Sequence, residues 1–159
     1  MPMIRLAMIL AMLAGPVFGA APKSACLWLK LARPEVVLGA PVTLTPGFSR
    51  RNDDTAVSLC TARTEAGEQL ALLYRVTPAE PRSLEVLVQD YCAELGAVMG
   101  PAPAFELLDL GGAALWEDSL HQLTVWSHDG ARMMVLTLFG AQARARCIAA
   151  AEAILAAGG

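Results

Sequence analysis

The chain is predicted to be an α+β protein, an antiparallel sheet of 4–5 strands built from hairpins and packed with two long helices. Three observations carry this expectation. The stretch 120–139 reads as two strands joined at Asp129-Gly130, a pair strongly favoured in tight hairpin turns. A second pair of strand-like runs, 55–63 and 68–76, flanks a Gly67-ended loop. Two long segments, 83–98 and 141–157, carry apolar residues at helical spacing.

The chain has 159 residues, which fits one domain once the first segment is set aside. Residues 1–20 have the layout of a secretory signal peptide: Arg5, then an apolar run from Leu6 to Leu13, a Gly15-Pro16 break and small residues. The apolar run is shorter than the ~20 residues of a membrane span. Residues 21–159 then form a single disulfide-stapled domain, exported to the periplasm or beyond, with no transmembrane segment left after cleavage. Removing Arg5 takes the formal charge from −3 to −4. A mildly acidic domain with scattered cations does not favour nucleic acid as a partner.

In chain order, Pro34 suits the first position of a short helix and Gly39 its stop. Residues 41–45 form a short extended piece ended by Pro46-Gly47, and 49–54 a polar loop. The strands 55–63 and 68–76 follow, closed by Pro78 and Pro81. Ser83 is placed to cap the first long helix, which Gly100-Pro101 stops. Residues 104–110 read as a strand, Gly111-Gly112 as a turn, and 113–118 as a lead-in that can be a short strand. The alanine-rich segment 141–157 is the second long helix. Each helix has one apolar stripe, so both are expected against one face of the sheet.

The hairpin at 120–139 also fixes a register. With His128 opposite Ala131, Trp126 pairs with Met133, Val125 with Met134, Thr124 with Val135 and Leu123 with Leu136. Alternation then separates an aliphatic face (Leu123, Val125, Met134, Leu136, Leu138) from a mixed one carrying Gln122, Thr124, Trp126 and Thr137. Three amide and hydroxyl groups are unusual on a dry core face. Gln122, Thr124, Trp126 and Thr137 are therefore the candidate partner-binding face, for a protein or small ligand. The Trp126 end is expected to be docked against and the Gln122–Thr137 end open.

Four cysteines, Cys26, Cys60, Cys92 and Cys147, form an even set without a C-x-x-C spacing, which reads as a disulfide framework in an exported domain. Of the three possible connectivities, Cys26–Cys60 with Cys92–Cys147 is preferred, because both helical stripes are expected on one layer. The two histidines, His121 and His128, are the only candidates for an enzyme. Ser127-His128-Asp129 has adjacent rather than convergent members, which is not triad geometry. A metal site from His121, Glu117 and Asp118 would need ligands converging from a bend. No catalytic, cofactor or metal residue is assigned, and the function expected is an exported non-catalytic accessory or binding domain. A periplasmic enzyme using His121 or His128 and a purely structural envelope protein are the alternatives.

The run Cys26-Leu27, then Pro34 to Val42, then Cys60 resembles a family of small secreted bacterial proteins, many of them lipoproteins, with a PsbP-like fold. The segment Leu110 to Trp116, the Gly130 turn and the alanine-rich helix are similar too. The resemblance implies a non-enzymatic sandwich with helices on both sheet faces. In that arrangement the segment from Trp28 to Leu38 would cover the mixed face. The sequence departs from the family in lacking a lipidation signal and in carrying Cys92 and Cys147.

Overall fold

The hairpin lies at the centre of a seven-stranded antiparallel sheet. The computed structural model describes residues 24–78, 81–100 and 104–158, so the expected signal segment lies outside the described residues. In chain order the elements are α1 (Ala25–Leu31), α2 (Pro34–Leu38), β1 (Val42–Arg51), β2 (Ala56–Thr64), β3 (Gln69–Val76), α3 (Leu84–Met99), β4 (Phe105–Leu108), β5 (Ala113–Glu117), β6 (Gln122–Trp126), β7 (Arg132–Leu138) and α4 (Ala143–Ala156). The sheet order is β1-β2-β3-β7-β6-β5-β4. Two meanders, β1 to β3 and β4 to β7, meet along the β3–β7 seam.

The β6–β7 register is the expected one, pair for pair from Gln122–Thr137 to Trp126–Met133. The turn is wider than two residues. The Gly130 N–H donates to the Ser127 carbonyl at 2.9 Å, and Gly130 takes a φ of +67°. Asp129 fixes this loop by accepting from the Ala131 N–H at 3.0 Å.

The sheet exceeds the expected 4–5 strands, chiefly because Pro46-Gly47 does not end β1. Pro46 sits on the outermost strand, where its missing N–H costs little. A bulge between Pro46 and Ser49 absorbs the irregularity, and pairing resumes through Arg51–Ala56. Residues 113–117 form the short strand that their sequence allowed. The segment before Pro34 also holds a helix, α1, ahead of the short one that starts at Pro34.

The two long helices lie on opposite faces, not on one. On the aliphatic face, Leu72, Leu123, Val125 and Leu136 are packed by Trp28 and Leu29 of α1, Leu38 of α2, and Cys147, Ala150, Ala151 and Ile154 of α4. The alanines give α4 a flat side that allows close approach. Trp28 stacks on Tyr74 with ring centroids 5.3 Å apart. The segment from Trp28 to Leu38 thus covers the aliphatic face, not the mixed one. On the mixed face, Leu115, Trp126, Met133 and Val135 are packed by Leu84, Val88, Tyr91 and Cys92 of α3. Ser83 caps α3 as expected, its hydroxyl accepting from the Val86 N–H at 3.4 Å.

This layering corrects half of the expected disulfide framework. Cys26 and Cys60 are bonded and tie α1 to β2, with Cα atoms 5.0 Å apart. Cys92 and Cys147 are free thiols. They belong to cores on opposite sides of the sheet, and a disulfide needs its Cα atoms within ~7 Å.

Candidate functional site

The candidate face divides as its chemistry suggests, although the cover is α3. Trp126 is only 1% exposed. Tyr91 of α3 meets it edge to face, with centroids 5.2 Å apart and planes at 82°. The Tyr91 hydroxyl and the Thr124 hydroxyl lie 3.1 Å apart, so a buried polar group on this face finds a partner on the covering helix. Burial holds the Tyr91 phenol above its ordinary pKa, while the Thr124 hydrogen bond and the positive charge of Arg75 pull it down.

At the other end, the Gln122 amide donates to Thr137 Oγ1 at 3.3 Å, and both residues remain partly exposed. They line a groove of about 340 Å³ with Leu59, Ala71, Leu73 and Tyr91, floored by Met133 and Val135. Of the four candidate residues, then, Thr124 and Trp126 are built into the α3 interface. Gln122 and Thr137 border an opening.

Leu59, Leu73 and their neighbours were missed from the sequence. Alternation in β2 puts Val57, Leu59, Thr61 and Arg63 on the mixed face, and in β3 it puts Ala71, Leu73 and Arg75 there. Leu73 packs at the margin of the α3 cluster, and each of these residues is partly or fully exposed among the described residues. The period-2 pattern was the available signal. It shows which residues share a face but not how far a covering helix extends.

The histidines sit in the turns beyond opposite ends of β6. His121 sits in the β5–β6 turn at a φ of +49°, its ring 5.4 Å from that of Phe139. The carboxylate of Glu117 is committed to the same turn. It accepts from the Ser119 hydroxyl at 2.7 Å, from the Ser119 N–H at 3.2 Å and from the Leu120 N–H. Asp118 accepts from the Trp116 indole at 3.2 Å. Among the described residues no group of three or more potential ligands converges.

His128 borders an open hollow of about 460 Å³ with Gly111, Ser127, Asp129, Arg132 and Leu155. The groups around it are occupied in holding the loop. Ser127 Oγ donates directly to Asp129 Oδ1 at 2.5 Å, without His128 between them, and accepts from the Arg132 N–H at 3.0 Å. These contacts hold the Asp129 carboxyl below the usual carboxylate range, the Ser127 hydroxyl first and the Ala131 N–H second. The Arg132 guanidinium donates to the Gly158 carbonyl at 2.6 Å, closing off the end of α4. Gly111-Gly112 is a close-approach turn: a Cβ on Gly112 would come within 2.7 Å of His128 Cα and the Ser127 carbonyl oxygen. No phosphate-binding loop is formed there.

The free thiols are poorly activated. Burial pushes Cys147 up to about 12 and also raises Cys92. Neither has the depressed pKa of a nucleophilic cysteine.

Among the described residues no helix is long and apolar enough to cross a membrane. The chain matches no family model, no curated protein and no solved structure.

Proposed function

We propose that this chain is an exported, non-catalytic binding domain that uses the uncovered part of its mixed sheet face. The observation that carries this reading is the split of that face. α3 seals Trp126 and Thr124, while Leu59, Ala71, Leu73, Gln122 and Thr137 border an open groove. An open apolar sheet surface rimmed by amide and hydroxyl groups suits recognition better than catalysis. The histidines carry no part of this reading: the His121 ring lies against Phe139, and the Ser127 and Asp129 groups next to His128 are hydrogen-bonded to each other and to the loop backbone.

Export is supported by the signal-like composition of residues 1–20 and by the Cys26–Cys60 bond, which belongs to oxidising compartments. The resemblance to the PsbP-like family enters this reading on the same footing, because it implies a non-enzymatic secreted sandwich.

One measurement addresses both halves. Native mass spectrometry of the chain, purified from its own host envelope, is expected to give a polypeptide starting between Ala20 and Pro22. It is also expected to show an associated species that is lost in Leu73→Glu, with the melting of that variant measured alongside. A chain starting at Met1 ends the export reading. A bare chain, indistinguishable from Leu73→Glu, ends the binding reading.

A further inference from the structure

The described arginines fall into two groups. Arg33, Arg82, Arg144 and Arg146 are ion-paired, and Arg132 is held by the Gly158 carbonyl. Arg50, Arg51, Arg63 and Arg75 form no ion pair among the described residues, and all four lie on β1, β2 or β3. Three of them share the open face. Arg50 and Arg75 both pair with Val57, which puts them on its face, and Arg63 lies six residues further along the same strand. Arg75 pairs across the strands with Met133, one of the residues that floor the groove.

Between these charges the face is apolar and hydroxylic. Leu59 pairs with Leu73, and Leu73 with Val135, in one row across the strands. Gly47 adds no bulk here, since a Cβ at that position would meet Leu59 at 3.0 Å. On the next row lie Thr61, Ala71 and Thr137. Unpaired cations on a chain of formal charge −3 are a local reversal of sign.

The dimensions point to the shape of an occupant. Three strands at ~4.8 Å spacing leave a strip about 10 Å wide, the diameter of one α-helix. Neighbouring helices pack 8–10 Å apart, so a second helix fits on this face beside α3. The arginine rows are separated by about 20 Å along β2, a length spanned by roughly 13 helical residues.

We infer that the uncovered half of the mixed face binds an amphipathic α-helix of a partner protein, about 13 residues long, with carboxylates at both ends of its apolar stripe. This rests on reading the face as a binding surface and adds the partner's shape and charge.

The test uses the exported chain and three synthetic 15-residue helical peptides with one leucine stripe, flanked by glutamates, lysines or glutamines. Binding is read from amide shifts in the protein's NMR spectrum and from titration. The acidic peptide is expected to shift Leu59, Thr61 and Leu73, and to bind at least tenfold more tightly than the basic one. The variant Arg50→Glu/Arg63→Glu/Arg75→Glu is expected to melt like the wild type and to reverse that preference. Equal binding of acidic and glutamine peptides at these residues overturns the acidic helix but leaves the face as a binding surface. So does tighter binding to phosphatidylglycerol vesicles, or self-association through the face. Shifts confined to other surfaces, or none with any probe, overturn the inference and the binding reading together.

Discussion

Trp126 and Gln122 lie on the same strand face, four residues apart, and carry opposite burdens. Trp126 fills the space under α3, so Trp126→Ala is expected to cost about 3–5 kcal/mol in denaturant melts. Gln122 makes one long, partly exposed hydrogen bond, and Gln122→Ala is expected to cost less than ~1 kcal/mol. Large losses at both would make the entire face core. Asp129 supplies a pH signature. Its folded-state pKa lies below the unfolded value, so its contribution is present above the unfolded pKa and lost as pH falls through the folded one. Asp129→Asn is therefore expected to melt lower than wild type at pH 7, the gap narrowing below about pH 4. A gap that is constant with pH would assign the effect to loop geometry alone.

At the scale of elements, the Cys26–Cys60 bond holds α1 to the sheet across a sequence separation of 34. In the chain-entropy model, closing that loop contributes about 4 kcal/mol, which Cys26→Ala/Cys60→Ala is expected to lose. Alkylation of the folded wild type is expected to label Cys92 slowly and Cys147 only after denaturation. A peptide linking Cys92 to Cys147 would refute the assignment. The β6–β7 register was legible because one-residue slips would turn Leu123, Val125 and Leu136 to the wrong side. Only the first part of β1 was legible, as the extended piece 41–45, because Pro46-Gly47 reads as a stop unless the strand is known to be at the edge. The side taken by α3 was not legible either. Its stripe of Leu84, Val88, Tyr91 and Cys92 says that the helix packs on a sheet, and both faces of this sheet are apolar enough to receive it. For the site, Gln122 and Thr137 could be found from alternation alone. Arg50, Arg63 and Arg75 could not, because an arginine on a strand shows which face it shares only once the pairing of β1, β2 and β3 is known.

For the molecule as a whole, the two faces differ in how firmly they are closed. α4 buries Ala143, Cys147, Ala150, Ala151 and Ile154, whereas no residue of α3 is fully buried. Stability is therefore uneven across the layers. Native-state hydrogen exchange is expected to run roughly tenfold or more faster in α3 than in α4. Equal protection would mean that α3 is docked as tightly as α4.

The bulge in β1 bears on aggregation. An open sheet has two edges whose unpaired backbone groups can recruit a strand from another chain. Here one edge, β1, is interrupted midway by Pro46 and a register shift. The other, β4, is four residues long. Neither offers a long uninterrupted template for fibril-like stacking, even though Leu107 on β4 is 75% exposed. The edges of the seven-stranded sheet are thus poor templates for strand recruitment, while part of its face keeps an exposed apolar surface. Straightening β1 by replacing Pro46 and deleting one bulge residue would remove that protection, and light scattering on concentrated samples would register the change.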